Sequence, residues 1–236
     1  MARPGWISGQ KCRPPLRCPL SPPFTRTCTA VTAWRWAMVE LHAILLAAGR
    51  SSRLGRPKQL LDFHGTPLVR YMAENLLATT DRVSVVTGAK RAEVELALDG
   101  LAVKLVHNDH WHDGVGTSIA LAVDKLPATA RGVLIMLCDQ YRLEREPLAA
   151  FVARWRQDPQ KILVARWPGA FGSPAIFPAA LFTRLARLEG DKGARQLLLQ
   201  YRSHVTFQDW PEAAHDLDDA QSLAAFRLYQ QAPGAE

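Results

Sequence analysis

The run Leu46-Ala47-Ala48-Gly49-Arg50-Ser51-Ser52-Arg53-Leu54-Gly55-Arg56-Pro57-Lys58 places four cations, Arg50, Arg53, Arg56 and Lys58, within nine positions of one another. A turn of small residues lets backbone N–H groups approach an anion closely, and the cations that follow would neutralise it. Pro57 restricts the backbone just before Lys58 and so limits the direction in which the ammonium leaves the chain. This combination suits the holding of a polyphosphate. It also suits a solvated strand-to-helix connection whose arginines face water. Two phosphate motifs fail on spacing. A P-loop needs Gly, four residues, then Gly-Lys-Ser/Thr, but five residues separate Gly49 from Gly55 and Lys58 comes three positions later. A dinucleotide fingerprint needs G-x-G-x-x-G opening a helix. Gly49-Arg50-Ser51 breaks it, which removes the case for a nicotinamide-dependent oxidoreductase.

The elements that must position this loop alternate in type. Leu41–Leu46 is a short apolar run ending in the glycine loop, and Thr66-Pro67 predicts an N-cap and first helical proline for a helix to Leu77. Arg82–Thr87 is β-branched and stops at Gly88; Lys90–Asp99 has helical spacing; Ala102–His107 reads as a strand and Thr117–Lys125 as a helix. Gly132–Leu137 is a continuous apolar run, as a strand covered on both faces should be. Glu144–Arg156 is helical, Ile162–Ala165 and Pro174–Phe177 read as strands, and Ala179–Leu188 and Gly193–Tyr201 as helices. A late strand, His204–Phe207, and a helix near Asp219–Gln230 close the chain. Strands alternating with helices predict an α/β fold with a mostly parallel sheet wrapped on both faces, and ligands at the carboxyl ends of its strands.

The chain has 236 residues, 48% of them apolar, which suits a soluble domain with a full core and excludes a disordered chain. No stretch approaches the ~18 apolar residues of a membrane helix. Four cysteines without a CxxC pair exclude a disulfide scaffold and a thiolate zinc site. The net charge of +7 is concentrated at one end. Residues 1–37 carry six basic residues and no acid, leaving 23 basic against 22 acidic from Met38 onward. A basic-patch case for nucleic acid therefore fails for the body. The tail also holds six of the sixteen prolines, which forbid a continuous helix. We expect it to be a disordered, Pro-rich segment without chemistry, although a targeting peptide would share its basic, acid-free composition. The domain is expected over residues 38–236, in the cytoplasm.

The run LAAGRSSRLGRPKQLL resembles the signature loop, LAAGxSxRxGxxKxL, of the nucleotidyltransferases that include the molybdenum cofactor guanylyl- and cytidylyltransferases. The resemblance continues in order. His107-Asn108-Asp109-His110-Trp111-His112-Asp113-Gly114-Val115-Gly116-Thr117-Ser118-Ile119 is similar to the family's Asn…Trp…Gly-x-x-x-Ser-Ile block, and Leu137-Cys138-Asp139-Gln140 to its CDQP segment. Gly172-Ser173-Pro174-Ala175-Ile176-Phe177 resembles its G-x-P-x-x-F, Gly190-Asp191-Lys192-Gly193-Ala194-Arg195 its GDxGAR, and Asp216-Leu217-Asp218-Asp219 its late DxD-type segment. The resemblance implies a Rossmann-like three-layer nucleotidyltransferase fold. Its later blocks favour the cytidylyltransferase branch, which transfers CMP from CTP to molybdopterin with release of pyrophosphate. A guanylyltransferase using GTP is the alternative within the family. A cofactor-binding chaperone without turnover is the alternative outside it.

By this resemblance, Ala47, Ala48, Gly49, Arg50 and Arg53 would hold the triphosphate, and Lys58 would reach the α-phosphate and the departing oxygens. Thr87, Gly88, Gly116, Thr117 and Ser118 would meet base or ribose, and Gly172, Ser173, Pro174, Asp191 and Arg195 the acceptor. Lys58, Arg53 and Asp139 would be the catalytic set. Asp139 ends an apolar strand, where a hard oxygen ligand suits Mg²⁺; Asp218, rather than Asp216, would be the second carboxylate. The reaction needs no protein nucleophile, only positioning and charge neutralisation. A molybdoenzyme or its maturation chaperone would be a protein partner.

The histidines His107, His110 and His112 do not share a helical face, so they fit a loop over the nucleotide better than a transition-metal site. Cys138 reads as a small buried residue, and Asp219 or its neighbour as the cap of the last helix. The sequence departs from the family at Tyr141-Arg142, where Pro-Leu is common, and at Ser173, where some cytidylyltransferases have histidine. Lys58 and Asp139 are expected to be water-accessible in the empty site, so Lys58→Ala and Asp139→Asn should each abolish most transfer while leaving the melting temperature nearly unchanged.

Overall fold

The computed structural model describes residues 40–231. The expected tail, its boundary at Met38 and the last five residues lie outside these. The first strand, β1 (Leu41–Leu46), is buried along its length because helices cover both of its faces. Leu41, Ala43 and Leu45 enter one core; Ile44 and Leu46 enter the other. The period-2 alternation of side chains divides one apolar hexapeptide between two layers.

A small hairpin follows, β2 (Asp62–Phe63) with β3 (Thr66–Pro67), then α1 (Leu68–Leu77). The order continues through β4 (Val83–Thr87), α2 (Arg91–Ala97), β5 (Lys104–His107), α3 (Val115–Asp124), β6 (Gly132–Leu137) and α4 (Arg145–Trp155). It ends with β7 (Ile162–Trp167), β8 (Ala170–Pro178), α5 (Phe182–Leu185), α6 (Arg195–Gln200), β9 (Val205–Asp209) and α7 (Ala220–Gln231).

Seven strands form one sheet in the order β5-β4-β1-β6-β8-β7-β9. β5, β4, β1 and β6 are parallel; β8 is antiparallel to both β6 and β7, and β9 is parallel to β7. All strands of the sheet except β8 therefore end at the same edge. Helices α1, α2, α4 and α7 pack on one face through Met72, Val94, Phe151 and Phe226. Helices α3, α5 and α6 pack on the other through Ile119, Leu185 and Leu198. The chain runs outward from β1 through β4 to β5 and returns to β6 on the far side of β1. This reversal opens a crevice at the carboxyl ends of β1 and β6.

Three expectations are corrected. Thr66 and Pro67 do not open α1: Pro67 is extended, both residues pair with Phe63 and Asp62, and the helix starts at Leu68 without a side-chain cap. β8 is nine residues long rather than Pro174–Phe177, because pairing with β7 resumes at Gly172, Phe171 and Ala170 beyond a register shift at Ser173 and Pro174. Ala179–Leu188 holds only the short helix α5, preceded by a 3-10 turn. The last helix is capped as expected, with Asp219 Oδ1 accepting from Ser222 N at 2.8 Å. Among the described residues, no helix is long and apolar enough to cross a membrane.

Candidate active site

The loop after β1 is pinned from three directions. Ala47 N donates to Val86 O at 3.0 Å and Ala89 N to Ala48 O at 2.9 Å, tying the loop to the end of β4. The buried amide of Gln59 donates to Ala47 O at 2.9 Å and to Gly49 O at 2.5 Å, so the loop's carbonyls are occupied from beneath. Lys58 N donates to Ser51 Oγ at 3.1 Å, and Ser51 adopts a left-handed φ of 56°, turning the chain back so that Arg50 and Lys58 flank one space.

That space is a cleft of about 640 Å³, within the usual size of a small-molecule site. Its walls include Ala48, Gly49, Arg50, Lys58 and Gln59 from the first loop, Trp111, His112 and Gly114 from the β5–α3 connection, and Ser118 from α3. Leu137, Cys138 and Asp139 come from the end of β6, and Asp191 from the turn before α6. Asn108 holds the second wall. Buried at the end of β5, it donates to Ser118 Oγ at 2.9 Å and Thr117 Oγ1 at 3.0 Å and accepts from His110 N at 3.0 Å. Gly88 provides room for Trp111, since a Cβ there would stand 2.7 Å from the tryptophan side chain. Gly116 lies so close to the turn carrying Asp191 that a Cβ would stand 2.8 Å from the Glu189 carbonyl carbon.

At the base of the cleft the Lys58 ammonium is ion-paired with Asp139 Oδ2 and lies 3.4 Å from Asp218 Oδ1, while Arg53 reaches Asp218 Oδ2 at 3.3 Å. Burial alone would lower the Lys58 pKa, but the Asp139 and Asp218 carboxylates outweigh it and leave the pKa raised, so the cation is secure. Asp216 is pushed up to about 6, first by desolvation and then by Asp139 and Asp218. Negative charge is thus crowded here. Cys138 is buried and its thiol pKa is driven up, first by burial and then by Asp139, which makes it an inert apolar wall.

The carboxylates fit a hard divalent ion. Asp139 Oδ1 is buried and has no hydrogen-bond partner, and Asp218 stands across the same ammonium with its side chain half exposed. Among the described residues no group of three His, Cys, Asp or Glu is placed to hold a metal. Two carboxylates completed by phosphate oxygens and water is the arrangement Mg²⁺ takes.

The structure brings Ala48, Gly49, Arg50, Lys58, Ser118, Asp139 and Asp191 together around the cleft, with Asp218 and Arg53 at its rim. Ala47 is buried beneath it, its carbonyl on Gln59. The other expected contacts lie elsewhere. Thr87 is fully buried, its hydroxyl 3.3 Å from both Glu95 Oε1 and His107 Nδ1. Gly88 and Gly116 act as spacers, and the Thr117 hydroxyl, 2.8 Å from Gly114 O, faces a neighbouring recess. Gly172, Ser173 and Pro174 belong to β8, where Ser173 Oγ accepts from Leu137 N at 3.2 Å, and Arg195 is exposed beside Phe171. Sequence reasoning missed Gln59 as the loop's brace, although it adjoins Lys58 in the signature. It also placed both Lys58 and Asp139 in open water. Their side chains are 18% and 7% exposed, so removing either disturbs a buried ion pair. Tyr141 lies on the opposite side of the sheet, packed against Phe226 and Tyr229, with Arg142 over the Tyr229 ring. The departure from Pro-Leu therefore builds core instead of reshaping the cleft.

The MobA-like NTP transferase domain matches residues 43–205, from β1 to the start of β9. The chain belongs to this family. Its similarity to the Purine catabolism protein PucB of Bacillus subtilis is 31% identity over 67% of the chain and 80% of the relative. A Molybdenum cofactor guanylyltransferase of Vibrio atlanticus is 29% identical over 79% of the chain and 95% of that protein. The solved structure of Rv0371c from Mycobacterium tuberculosis superposes with a TM-score of 0.70 at 26% identity, over 82% of this chain and 99% of that one. Rv0371c has also been solved as a complex with manganese. This MobA-like chain is thus a nucleotidyltransferase with the family's mostly parallel Rossmann-like sheet.

Proposed function

We propose that this nucleotidyltransferase transfers CMP from CTP to the phosphate of molybdopterin, releasing pyrophosphate. The observation that carries the reading is the charge arrangement at the base of the cleft: Lys58 between Asp139 and Asp218, beneath the Ala48–Arg50 loop and at the sheet's switch point. An oxygen of the acceptor phosphate attacks the α-phosphorus of CTP, the α–β bridging bond breaks, and its electrons leave on pyrophosphate. A phosphate monoester is already ionised near neutral pH, so the attacking oxygen needs no protein base. Arg50 and the small-residue loop hold the triphosphate. Lys58 exchanges its carboxylate partners for α-phosphate and bridging oxygens, stabilising charge as it develops. Asp139 and Asp218 would hold Mg²⁺, which supplies neutralisation of the triphosphate. The manganese complex of Rv0371c supports divalent-metal use. The Trp111–Gly114 loop limits water access to the reacting phosphates.

The similarity of the Gly172–Phe177, Gly190–Arg195 and Asp216–Asp219 blocks to the cytidylyltransferase branch supports CTP. The guanylyltransferase relative supports GTP as the second reading. Incubation with molybdopterin, Mg²⁺ and each nucleotide separately, followed by pyrophosphate measurement, decides between them. We expect release with CTP; release with GTP alone identifies the guanylyl branch, and tight nucleotide binding without release under saturating Mg²⁺ identifies a chaperone. We further propose that the catalytic body begins near Met38 and that the protein acts in the cytoplasm, handing its product to a molybdoenzyme or its maturation chaperone.

A further inference from the structure

Four consecutive residues of the β6–α4 connection meet the C-terminal part of the chain. Asp139 shares the Lys58 ammonium with Asp218. Gln140 is buried and spends its two N–H donors on Ser173 O at 2.8 Å and Ala213 O at 2.9 Å. Tyr141 packs edge-on against Phe226 and Tyr229 of α7. Arg142 lies over the Tyr229 ring and donates to His215 Nε2 at 3.2 Å; a guanidinium only donates, so the imidazole nitrogen accepts. What these residues hold is the stretch that carries Asp218. After the 3-10 turn Pro211–Ala214, residues 215–218 have no regular structure, so no ladder or helical hydrogen bond fixes where Asp218 stands. Its place is set from outside. Leu217 is buried in the core, and downstream Asp218 N donates to Ser222 Oγ at 2.9 Å. Upstream, Gln140 holds the turn at Ala213 O and Arg142 holds His215. Neither of these two side chains walls the cleft.

We infer that Gln140, assisted by Arg142, is a positioning residue: it docks the turn Pro211–Ala214 so that Asp218 stands across Lys58 from Asp139, where one divalent ion can meet both carboxylates. The inference rests on the proposed use of these two carboxylates to hold a metal. Gln140 follows Asp139 directly, so the residue that holds the turn is covalently joined to the first carboxylate. Its other hydrogen bond, to Ser173 O, ties the same amide to β8. One rigid piece of chain thereby sets both ligands, although they lie 79 positions apart. The chemistry makes such placement matter. Mg²⁺ demands near-ideal octahedral geometry, so its affinity falls when one of its oxygens drifts. A buried amide that merely satisfied two carbonyls would contribute to stability and leave metal affinity alone.

Gln140→Met keeps the length of the side chain and removes both donors. Arg142→Met keeps an apolar stem over Tyr229 and removes the donor to His215. Mn²⁺ is titrated into full-length, nucleotide-free protein, with the free ion followed by electron paramagnetic resonance well below each variant's melting temperature. The wild type should bind Mn²⁺, and Asp218→Asn should weaken that binding. We expect Gln140→Met to weaken it about 10- to 100-fold, the range for groups that hold a metal's ligands, and Arg142→Met to act in the same direction by less. Gln140→Met combined with Asp218→Asn should bind no more weakly than Asp218→Asn alone. Gln140→Met that binds Mn²⁺ like the wild type, whatever its melting temperature, overturns the positioning role and leaves the metal assignment standing; should it fail to fold, Arg142→Met decides in its place. A double variant weakened by the same further factor shows Gln140 acting elsewhere and overturns the role as well. Asp218→Asn that matches the wild type, or a wild type that binds no Mn²⁺, overturns the metal assignment itself.

Discussion

Lys58 carries two consequences at the scale of single residues. As the cation that meets charge developing on the α-phosphate, it should, when replaced in Lys58→Ala, lower turnover by about 10²–10³ by analogy with lost oxyanion donors. As one half of a buried ion pair, its removal strands the Asp139 carboxylate. Breaking such a pair costs roughly 3–5 kcal/mol, and the open cleft places this case near 3. For a body of this size that corresponds to a fall of about 6–12 °C in melting temperature. Adding Asp139→Asn removes the stranded charge and should restore most of the loss in a thermal melt; a double variant no more stable than Lys58→Ala would show that the pair is not what was broken. Asp216 makes a prediction of opposite sign to the usual carboxylate. Its folded pKa, about 6, lies above the ordinary 3.8, so between these values the folded state retains a proton the unfolded state has lost. Stability should therefore fall as pH rises from about 4 to 6 and level off above. Its exposed outer surface makes that slope shallow. Denaturant titrations across this range should show the slope in the wild type and a flatter profile in Asp216→Asn.

At the scale of elements, the cleft is made by loops that rigid neighbours hold in place. The small-residue loop would be free to turn its carbonyls toward a phosphate if Gln59 did not occupy those of Ala47 and Gly49. Gln59→Leu preserves bulk and leaves two carbonyls without their donor, of which the buried one of Ala47 costs about 1–3 kcal/mol. We expect a lower melting temperature together with a nucleotide KM raised more than tenfold, whereas a structural role alone would lower stability and leave nucleotide KM in place. The opposite wall depends on absence of side chains. Gly116→Ala would push against the Glu189 carbonyl and move the turn that carries Asp191. Its signature should be weakened substrate binding measured by titration calorimetry, with catalysis at saturation close to normal.

At the scale of the whole molecule, residues 40–231 already contain both cores, the switch point and both walls of the cleft. A chain starting at Met38 should match the full-length protein in melting temperature and in transfer rate. A loss in either would assign the basic segment a part in folding or substrate binding. Because helices cover both faces of one continuous sheet, the body should unfold in a single transition followed equally by near- and far-ultraviolet signals.

How much of this was legible beforehand follows from the range of the forces involved. Local signals are sufficient for the apolar hexapeptides of β1 and β6, for the cation-rich turn between Ala48 and Lys58, for the Asp219 cap, and, through their order along the chain, for the family. Each is written within a dozen residues, where hydrophobic period, glycine freedom and capping act. Tertiary structure alone decided the rest. Thr66-Pro67 became a ladder because Asp62-Phe63 lay beside it, and β8 extended back to Ala170, past the irregularity at Ser173 and Pro174, because β7 pairs with it on both sides. Lys58 and Asp139 are 81 positions apart, and Asp218 a further 79 beyond Asp139. Their meeting as one charged group arises from how the strands and the loops that follow them stack at a shared edge. No local pattern in the sequence encodes that distance, since it is the packing of the two cores that sets it.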